Sequence, residues 1–191
     1  MCGRAQYLKV PEIIEEFGPA RVGDIDETAL ADEAFPKSIV PGVLLHNGER
    51  VVSSFSWAFF DDGTGHNARL ETAADRPAWR EAYASTRLVL PLARFVEGRA
   101  WFSAASGGPL AVAGLYRLGR VRRATMLTRP ADDVVAAFHE RMPVILPTDL
   151  VEPWLAGAVV PVRRLLQDSP ALDVVPINRP GPTPPDQLSL L

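Results

Sequence analysis

The only cysteine among the 191 residues, Cys2, stands directly behind the initiator methionine. A methionine that precedes a small residue is normally trimmed, and cysteine qualifies. Trimming here would leave an α-amine and a thiol on neighbouring carbons. The amine titrates near about 8 and the thiol near about 8.5, so both nucleophilic forms are partly available at neutral pH. An amine alone gives an aldehyde a reversible imine. A thiol beside it can close onto that imine and trap it as a five-membered thiazolidine ring. Arg4 would favour the thiolate and could also bind a phosphate. The plainer alternative is a frayed chain end with an incidental cysteine.

A second concentration of polar side chains lies in the middle of the chain. The loop Asp61-Asp62-Gly63-Thr64-Gly65 delivers His66-Asn67-Ala68-Arg69-Leu70-Glu71-Thr72, a polar cluster in a turn, where binding residues gather. Trp57 stands on a strand just before it, as either a core residue or a ligand platform. No paired-cysteine spacing and no Gly-rich phosphate loop is present, so neither a metal nor an organic cofactor is expected.

The elements that must position these residues are mostly strands. Val10, Ile13, Ile14 and Phe17 follow helical spacing, with Pro11 in the first turn and Gly18-Pro19 as a stop. Residues 19–36 read as a polar loop. Ile39–Leu45 and Arg50–Phe60 read as strands joined through His46-Asn47-Gly48, a strong hairpin signal. A short helix is expected over Pro77–Tyr83 and a buried strand over Thr86–Pro91, with Phe95-Val96-Glu97-Gly98 after it. Ala100–Ala104 and Leu110–Leu118 form a further hairpin, and Ala124–Thr128 a further strand. Asp132 or Asp133 caps a helix that runs to His139. Val144-Ile145-Leu146 is extended, and Asp149 with Glu152 starts a helix that ends at Gly157. No βαβ alternation and no internal repeat appears. The expected class is α+β, one domain with a largely antiparallel, barrel-like β core flanked by a few helices.

Composition sets outer limits. A hydrophobic share of 47% against 23% charged is that of a soluble globular chain. A single cysteine excludes an internal disulfide framework and fits a reducing compartment. No apolar run approaches membrane-spanning length, so the expected location is cytoplasmic, with no membrane partner. A net charge of −3 excludes a wholly basic nucleic-acid coat while leaving room for a local basic patch.

With the pieces in order, the chain resembles the SRAP family, the SOS response-associated peptidases or abasic-site processing proteins. The residues that carry the resemblance are Met1-Cys2-Gly3-Arg4, Asn67-Ala68-Arg69 with Glu71-Thr72, Arg87 with Val89 and Pro91, Glu97, Gly114-Leu115-Tyr116, Thr128 and His139-Glu140-Arg141-Met142-Pro143-Val144-Ile145-Leu146. Val175-Pro176 with Asn178 fits the domain's end, so the resemblance spans residues 1–178. Arg94-Phe95-Val96-Glu97-Gly98 departs from the family's usual Gly-Phe-Tyr-Glu-Trp, and Glu140 stands in place of an aspartate.

The resemblance implies an abasic-site sensor of the DNA damage response that acts on single-stranded DNA as a monomer. Cys2, freed of Met1, would capture the ring-opened sugar as a thiazolidine DNA–protein crosslink. Glu97 would serve as general acid/base, and His139 would assist sugar ring opening and reversal. Asn67 would hold the amino-terminal residue. Arg4, Trp57, Arg69, Thr128 and Arg141 would contact DNA, with the arginines as phosphate clamps and Trp57 stacking a base. Two alternatives stay open: a cysteine-dependent peptidase or autopeptidase that removes Met1, and a non-covalent module that binds lesion DNA.

The tail carries a separate signal. Pro176 to Pro185 holds five prolines and reads as an extended spacer, and residues 179–191 as a flexible tail. Gln187-Leu188-Ser189-Leu190-Leu191 looks like the peptide with which repair proteins dock on the bacterial sliding clamp, the glutamine filling a polar pocket and the leucines an apolar one. A tail folded back onto the domain is the competing expectation.

Overall fold

Two-residue periodicity dominates the chain. In the computed structural model, which describes residues 2–18 and 21–177, it produces twelve strands among those residues. In chain order they are β1 (Ala5–Tyr7), β2 (Arg21–Val22), β3 (Glu33–Ala34), β4 (Ile39–His46), β5 (Glu49–Ser56) and β6 (Asn67–Arg69). β7 (Arg87–Glu97), β8 (Ala100–Ala104), β9 (Leu110–Arg117), β10 (Arg123–Pro130), β11 (Arg141–Pro143) and β12 (Leu172–Pro176) follow. The helices are α1 (Val10–Phe17), α2 (Leu70–Ala73), α3 (Arg80–Ser85), α4 (Asp133–Ala136), α5 (Thr148–Leu155) and α6 (Val162–Gln167).

The β4–β5 hairpin forms where Asn-Gly predicts it: Asn47 and Gly48 both take positive φ, 52° and 80°, as a tight two-residue turn requires. β4 also pairs with β7, β7 with β9, β9 with β10, and β10 returns to β5. Five strands thus close a ring, antiparallel except at the single Arg123–Ser56 seam. β7 is long enough to serve two partners in turn. Its first half, Arg87 to Leu92, runs along β9, and its second half leaves the ring to pair with β1 and β8. That divergence carries Glu97 to the rim.

Alternation on β7 sends Leu88, Leu90 and Leu92 to one side and Val89 to the other, and both sides are buried. One apolar cluster combines those leucines with Phe55, Trp57, Phe95 and Phe102, and it contains Cys2 and Tyr7. The second lies under α1 and α5, built on Ile13, Leu115, Leu127 and Trp154. The α+β, sheet-dominated architecture is the one expected.

Local departures have local causes. The expected helix to His139 stops at Ala136, because the chain must turn back for Ala131 N–H to reach the Glu140 carbonyl and for β11 to pair with β10. The strand expected to reach Phe60 ends at Ser56, and the helix over residues 77–83 forms instead as α3. β1, β12 and α6 were not foreseen. Pro176, assigned above to the spacer, closes β12, an edge strand, where a missing N–H is tolerated.

Gly98, which turns β7 into β8, sits at φ 57°, and a Cβ there would come within 2.5 Å of the Phe138 carbonyl oxygen. Gly98→Ala therefore forces apart the two segments that carry Glu97 and His139. The expected loss is about 2 kcal/mol, read as a thermal midpoint lower by about 5 °C.

Candidate active site

The first residues of the chain are tied to the far end of β7. Ala5 is paired with Phe95, and Val96 N–H donates to the Arg4 carbonyl at 2.9 Å, which lays Cys2 beside Glu97. Cys2 has no exposed surface. Its carbonyl accepts a hydrogen bond from Asn67 Nδ2 at 2.6 Å, and its Sγ lies 3.6 Å from the Arg4 carbonyl oxygen. Burial pushes the thiol up to about 12, and the Glu97 charge adds to the effect. The expectation that Arg4 favours the thiolate fails here, because the Arg4 side chain turns away. Its Nε lies 2.5 Å from Glu33 and its guanidinium 4.9 Å from the Trp101 ring centre.

Glu97, at the end of β7, is only 2% exposed. Burial raises its carboxyl, opposed by the nearby positive charge of Arg141 and by His139 when protonated. His139 Nδ1 lies 3.3 Å from Glu97 Oε2, 3.1 Å from the Arg141 N–H and 3.0 Å from the Arg141 carbonyl. Unprotonated, Nδ1 accepts the Arg141 N–H. Protonated, it faces two oxygens. The junction can therefore pass a proton between imidazole and carboxyl.

Asn67 reaches Cys2 because β6 lies parallel to β10, with Asn67 opposite Met126. The polar cluster expected as a turn is thus a strand running into α2. Asn67 Oδ1 is buried and has no hydrogen-bond partner among the described residues. It faces the same neighbourhood with acceptor capacity unused.

Arg141 and Thr128, expected to contact DNA, lie inside the fold. Thr128 has no exposed surface and Arg141 is 7% exposed. The Arg141 guanidinium grips both Glu71 oxygens, at 2.7 and 2.9 Å, and the Thr128 carbonyl at 2.7 Å. Hydrogen bonding from Arg141 holds the Glu71 carboxyl below its usual range. These groups are an internal strut that locks β11, β10 and α2, and with them His139 and Asn67. Trp57, expected to stack a base, lies inside as well. It is fully buried, its Nε1–H donates to the His66 carbonyl at 2.8 Å, and it packs edge-on against Tyr7. Arg69 is exposed at the start of α2 beside Glu71, a position open to a phosphate.

Tyr7 is the neighbour that residue types alone missed. It is buried against Cys2 in the same cluster, burial raises its phenol, and its hydroxyl has no partner among the described residues. A three-residue β1 is too short for alternation to announce it. Met1 and the tail residues Gln187, Leu188, Leu190 and Leu191 lie outside the described residues. Among the described residues no three His, Cys, Asp or Glu side chains converge as metal ligands, and no helix is long and apolar enough to cross a membrane.

Comparison with known proteins gives the family and the fold. The family model of the SOS response associated peptidase (SRAP) matches residues 1–179. The abasic site processing protein YoaM of Bacillus subtilis (strain 168) is 25% identical over 179 residues, covering 81% of this chain and 79% of the relative. The abasic site processing protein YoqW of Bacillus phage SPbeta is 24% identical over 179 residues, covering 81% of this chain and 80% of the relative. Two crystal structures share the fold. A protein from Bordetella bronchiseptica has a TM-score of 0.78 at 23% identity, over 93% of this chain and 100% of that one. A protein from Bacteroides thetaiotaomicron has a TM-score of 0.76 at 18% identity, over 93% and 92%. With the family model matched from Cys2 through β12, the chain belongs to the SOS response associated peptidase (SRAP) family.

Proposed function

We propose that this protein processes abasic sites by binding single-stranded DNA and capturing the ring-opened sugar aldehyde on Cys2, once Met1 has been removed. The observation that carries this is the Asn67–Cys2 hydrogen bond of 2.6 Å beside a buried carboxyl 3.3 Å from a histidine nitrogen. The names of the curated relatives, abasic site processing proteins, point the same way.

The steps balance without an oxidant or reductant. The freed α-amine of Cys2 adds to the aldehyde carbon and gives a carbinolamine. Glu97, its carboxyl raised by burial, donates a proton to the departing hydroxyl, which leaves as water and yields a protonated imine. The Cys2 sulfur then adds to the imine carbon while the Glu97 carboxylate takes the thiol proton, and the imine electron pair returns to nitrogen. The product is a thiazolidine and one water, with Glu97 protonated again as at the start. Asn67 fixes the position of Cys2. His139 exchanges protons with Glu97 and serves sugar ring opening and the reverse reaction. Arg4 and Arg69 would meet phosphates. A thiol pushed up to about 12 suits a step in which a base removes its proton late, and it is a poor peptidase nucleophile, which needs a depressed value.

Residues 1–178 form the DNA-acting unit in this proposal. The segment 179–191 is a tether whose Gln187, Leu188, Leu190 and Leu191 dock on the sliding clamp and concentrate a cytoplasmic, nucleoid-associated monomer near replicating DNA.

Incubation with single-stranded DNA holding one abasic site should give a protein–DNA band that survives denaturation. Cys2→Ala should abolish it and Glu97→Gln should slow its formation by about a hundredfold. A wild-type protein that releases all its DNA on denaturation overturns the covalent step.

Glu97 also has a stability signature. Its folded carboxyl titrates above the unfolded value of about 4.3, so its contribution is present below that value and lost as pH rises through the raised one. Glu97→Gln should therefore melt higher than wild type at pH 8, with the gap closing as the pH falls to about 4. For the tail, deletion of residues 187–191 should abolish retention on an immobilised clamp; unchanged retention excludes the docking peptide.

A further inference from the structure

An apolar row crosses the inner side of β7, β8 and β12 through the paired residues Phe95, Phe102 and Val174. Phe95 and Phe102 have no exposed surface, and Phe138 packs edge-on against Phe102 at 5.5 Å. The row then ends at the sheet edge on Val174, which is 37% exposed, as is Phe138. β12 pairs with β8 and with no other strand among the described residues.

Two hydrogen bonds fix which way the main chain of β12 points. Ala105 N–H donates to the Ala171 carbonyl, and Ile177 N–H donates to the Arg99 carbonyl. Alternation therefore turns the groups of Ala171, Asp173, Val175 and Ile177 toward β8 and those of Leu172, Val174 and Pro176 away from it. Leu172 and Val174 each present a donor and an acceptor, and Pro176 an acceptor alone. The one charged side chain of β12, Asp173, is opposite Ser103 on the outer face, so no charge guards the inner edge. Such an edge is a template for one more strand.

The chain that leaves β12 supplies one. Pro180, Pro182, Pro184 and Pro185 cannot extend a ladder, and Pro180-Gly181 is a turn signal. After them a period of two returns, with Leu188 and Leu190 alternating with Gln187 and Ser189. We infer that residues 186–191 come back antiparallel to β12 as an added edge strand, with Leu188 opposite Val174 and Leu190 opposite Leu172. In that register each of these two pairs exchanges both main-chain hydrogen bonds, and Asp186 N–H meets the Pro176 carbonyl. Leu188 extends the apolar row by one member, while Gln187 and Ser189 face solvent. A slip of one residue would set Gln187 and Ser189 against the row instead. Residues 178–185, at about 3.3 Å each, easily bridge the roughly 4.8 Å between neighbouring strands. A second copy of the chain fits less well. Two β12 strands paired about Val174 would leave each Leu172 carbonyl facing a Pro176 nitrogen that carries no proton.

Leu188 and Leu190 are also residues assigned above to the sliding clamp. In its consequence alone the inference rests on that reading: a tail paired with β12 is withheld from the clamp.

Cross-strand disulfides test the register. In a Cys2→Ala background, Asp173→Cys with Ser189→Cys sets two thiols in a non-hydrogen-bonded pair, where Cα atoms lie about 4.5 Å apart and a disulfide can close. Asp173→Cys with Leu188→Cys sets them on opposite faces. Under mild oxidation the first pair should close within one chain about tenfold faster than the second. Hydrogen exchange at the Val174 amide should be about tenfold slower in the full chain than after deletion of residues 186–191. Equal closure of both pairs, a disulfide formed between two chains, or Val174 exchange indifferent to the deletion would each overturn the added strand. The oxidised first variant should lose retention on an immobilised clamp and regain it on reduction. The two readings fail separately. Register-specific closure in a protein that the clamp never retains keeps the strand and removes the clamp, and retention with closure indifferent to register does the reverse.

Discussion

The hydrogen bond from Asn67 to the Cys2 carbonyl joins the first described residue to a strand 65 positions away, and the candidate chemistry depends on it. A chain end left to itself frays, since fixing each backbone residue costs about 1–2 kcal/mol in entropy. Here that cost is offset by several small contacts made together. β1 adds to the end of β7, Val96 N–H holds the Arg4 carbonyl, and Asn67 holds Cys2. No one of them is strong. Their combined effect is to place a terminal cysteine in the interior beside Glu97.

Support for Asn67 and His139 comes from a single buried cation. Arg141 precedes β11's apolar residues and fastens Glu71 on α2 and Thr128 on β10 at once. A buried ion pair of this kind adds little net stability over an apolar substitute, yet removal of one partner is costly. Its value here is geometric. It fixes the spacing between the segment that ends in His139 and the strand that begins at Asn67. Around this rigid strut, the Asn67 oxygen and the Tyr7 hydroxyl are buried without partners among the described residues. Burying a polar atom without a partner costs stability.

Local elements were legible in residue types and spacing, and the candidate site only through the family resemblance. Asn47-Gly48 announced its hairpin and Val10 to Phe17 its helix; the resemblance pointed to Cys2, Asn67, Glu97 and His139, whose side chains no spacing brings together. Other features depend on long-range pairing, which local patterns do not carry. β1 is three residues long, β6 looked like a turn because its partner β10 lies far along the chain, and α4 is cut short by the need to return for β11. Burial is likewise invisible to local patterns. Trp57, Thr128 and Arg141 are polar or amphipathic types that a sequence reader places at a nucleic-acid surface. In the fold each spends its polar atoms on an internal partner, which only burial reveals.

β7 shows how one strand can serve two purposes. Its period of two sends Phe95 and Glu97 inward and Arg94 and Val96 outward. On the inner side Phe95 stacks on Phe102, and burial raises the Glu97 carboxyl. The outer residues face solvent, where the Arg94 guanidinium lies 4.3 Å from the Trp101 ring centre. A one-residue slip of β7 against β1 or β8 would exchange the two sets, exposing the carboxyl and burying the guanidinium. Both outcomes are unfavourable, so the register that builds the acid also builds the cationic face. Pairing at Phe95–Phe102, with the two rings stacked at 5.3 Å, secures that register from the interior.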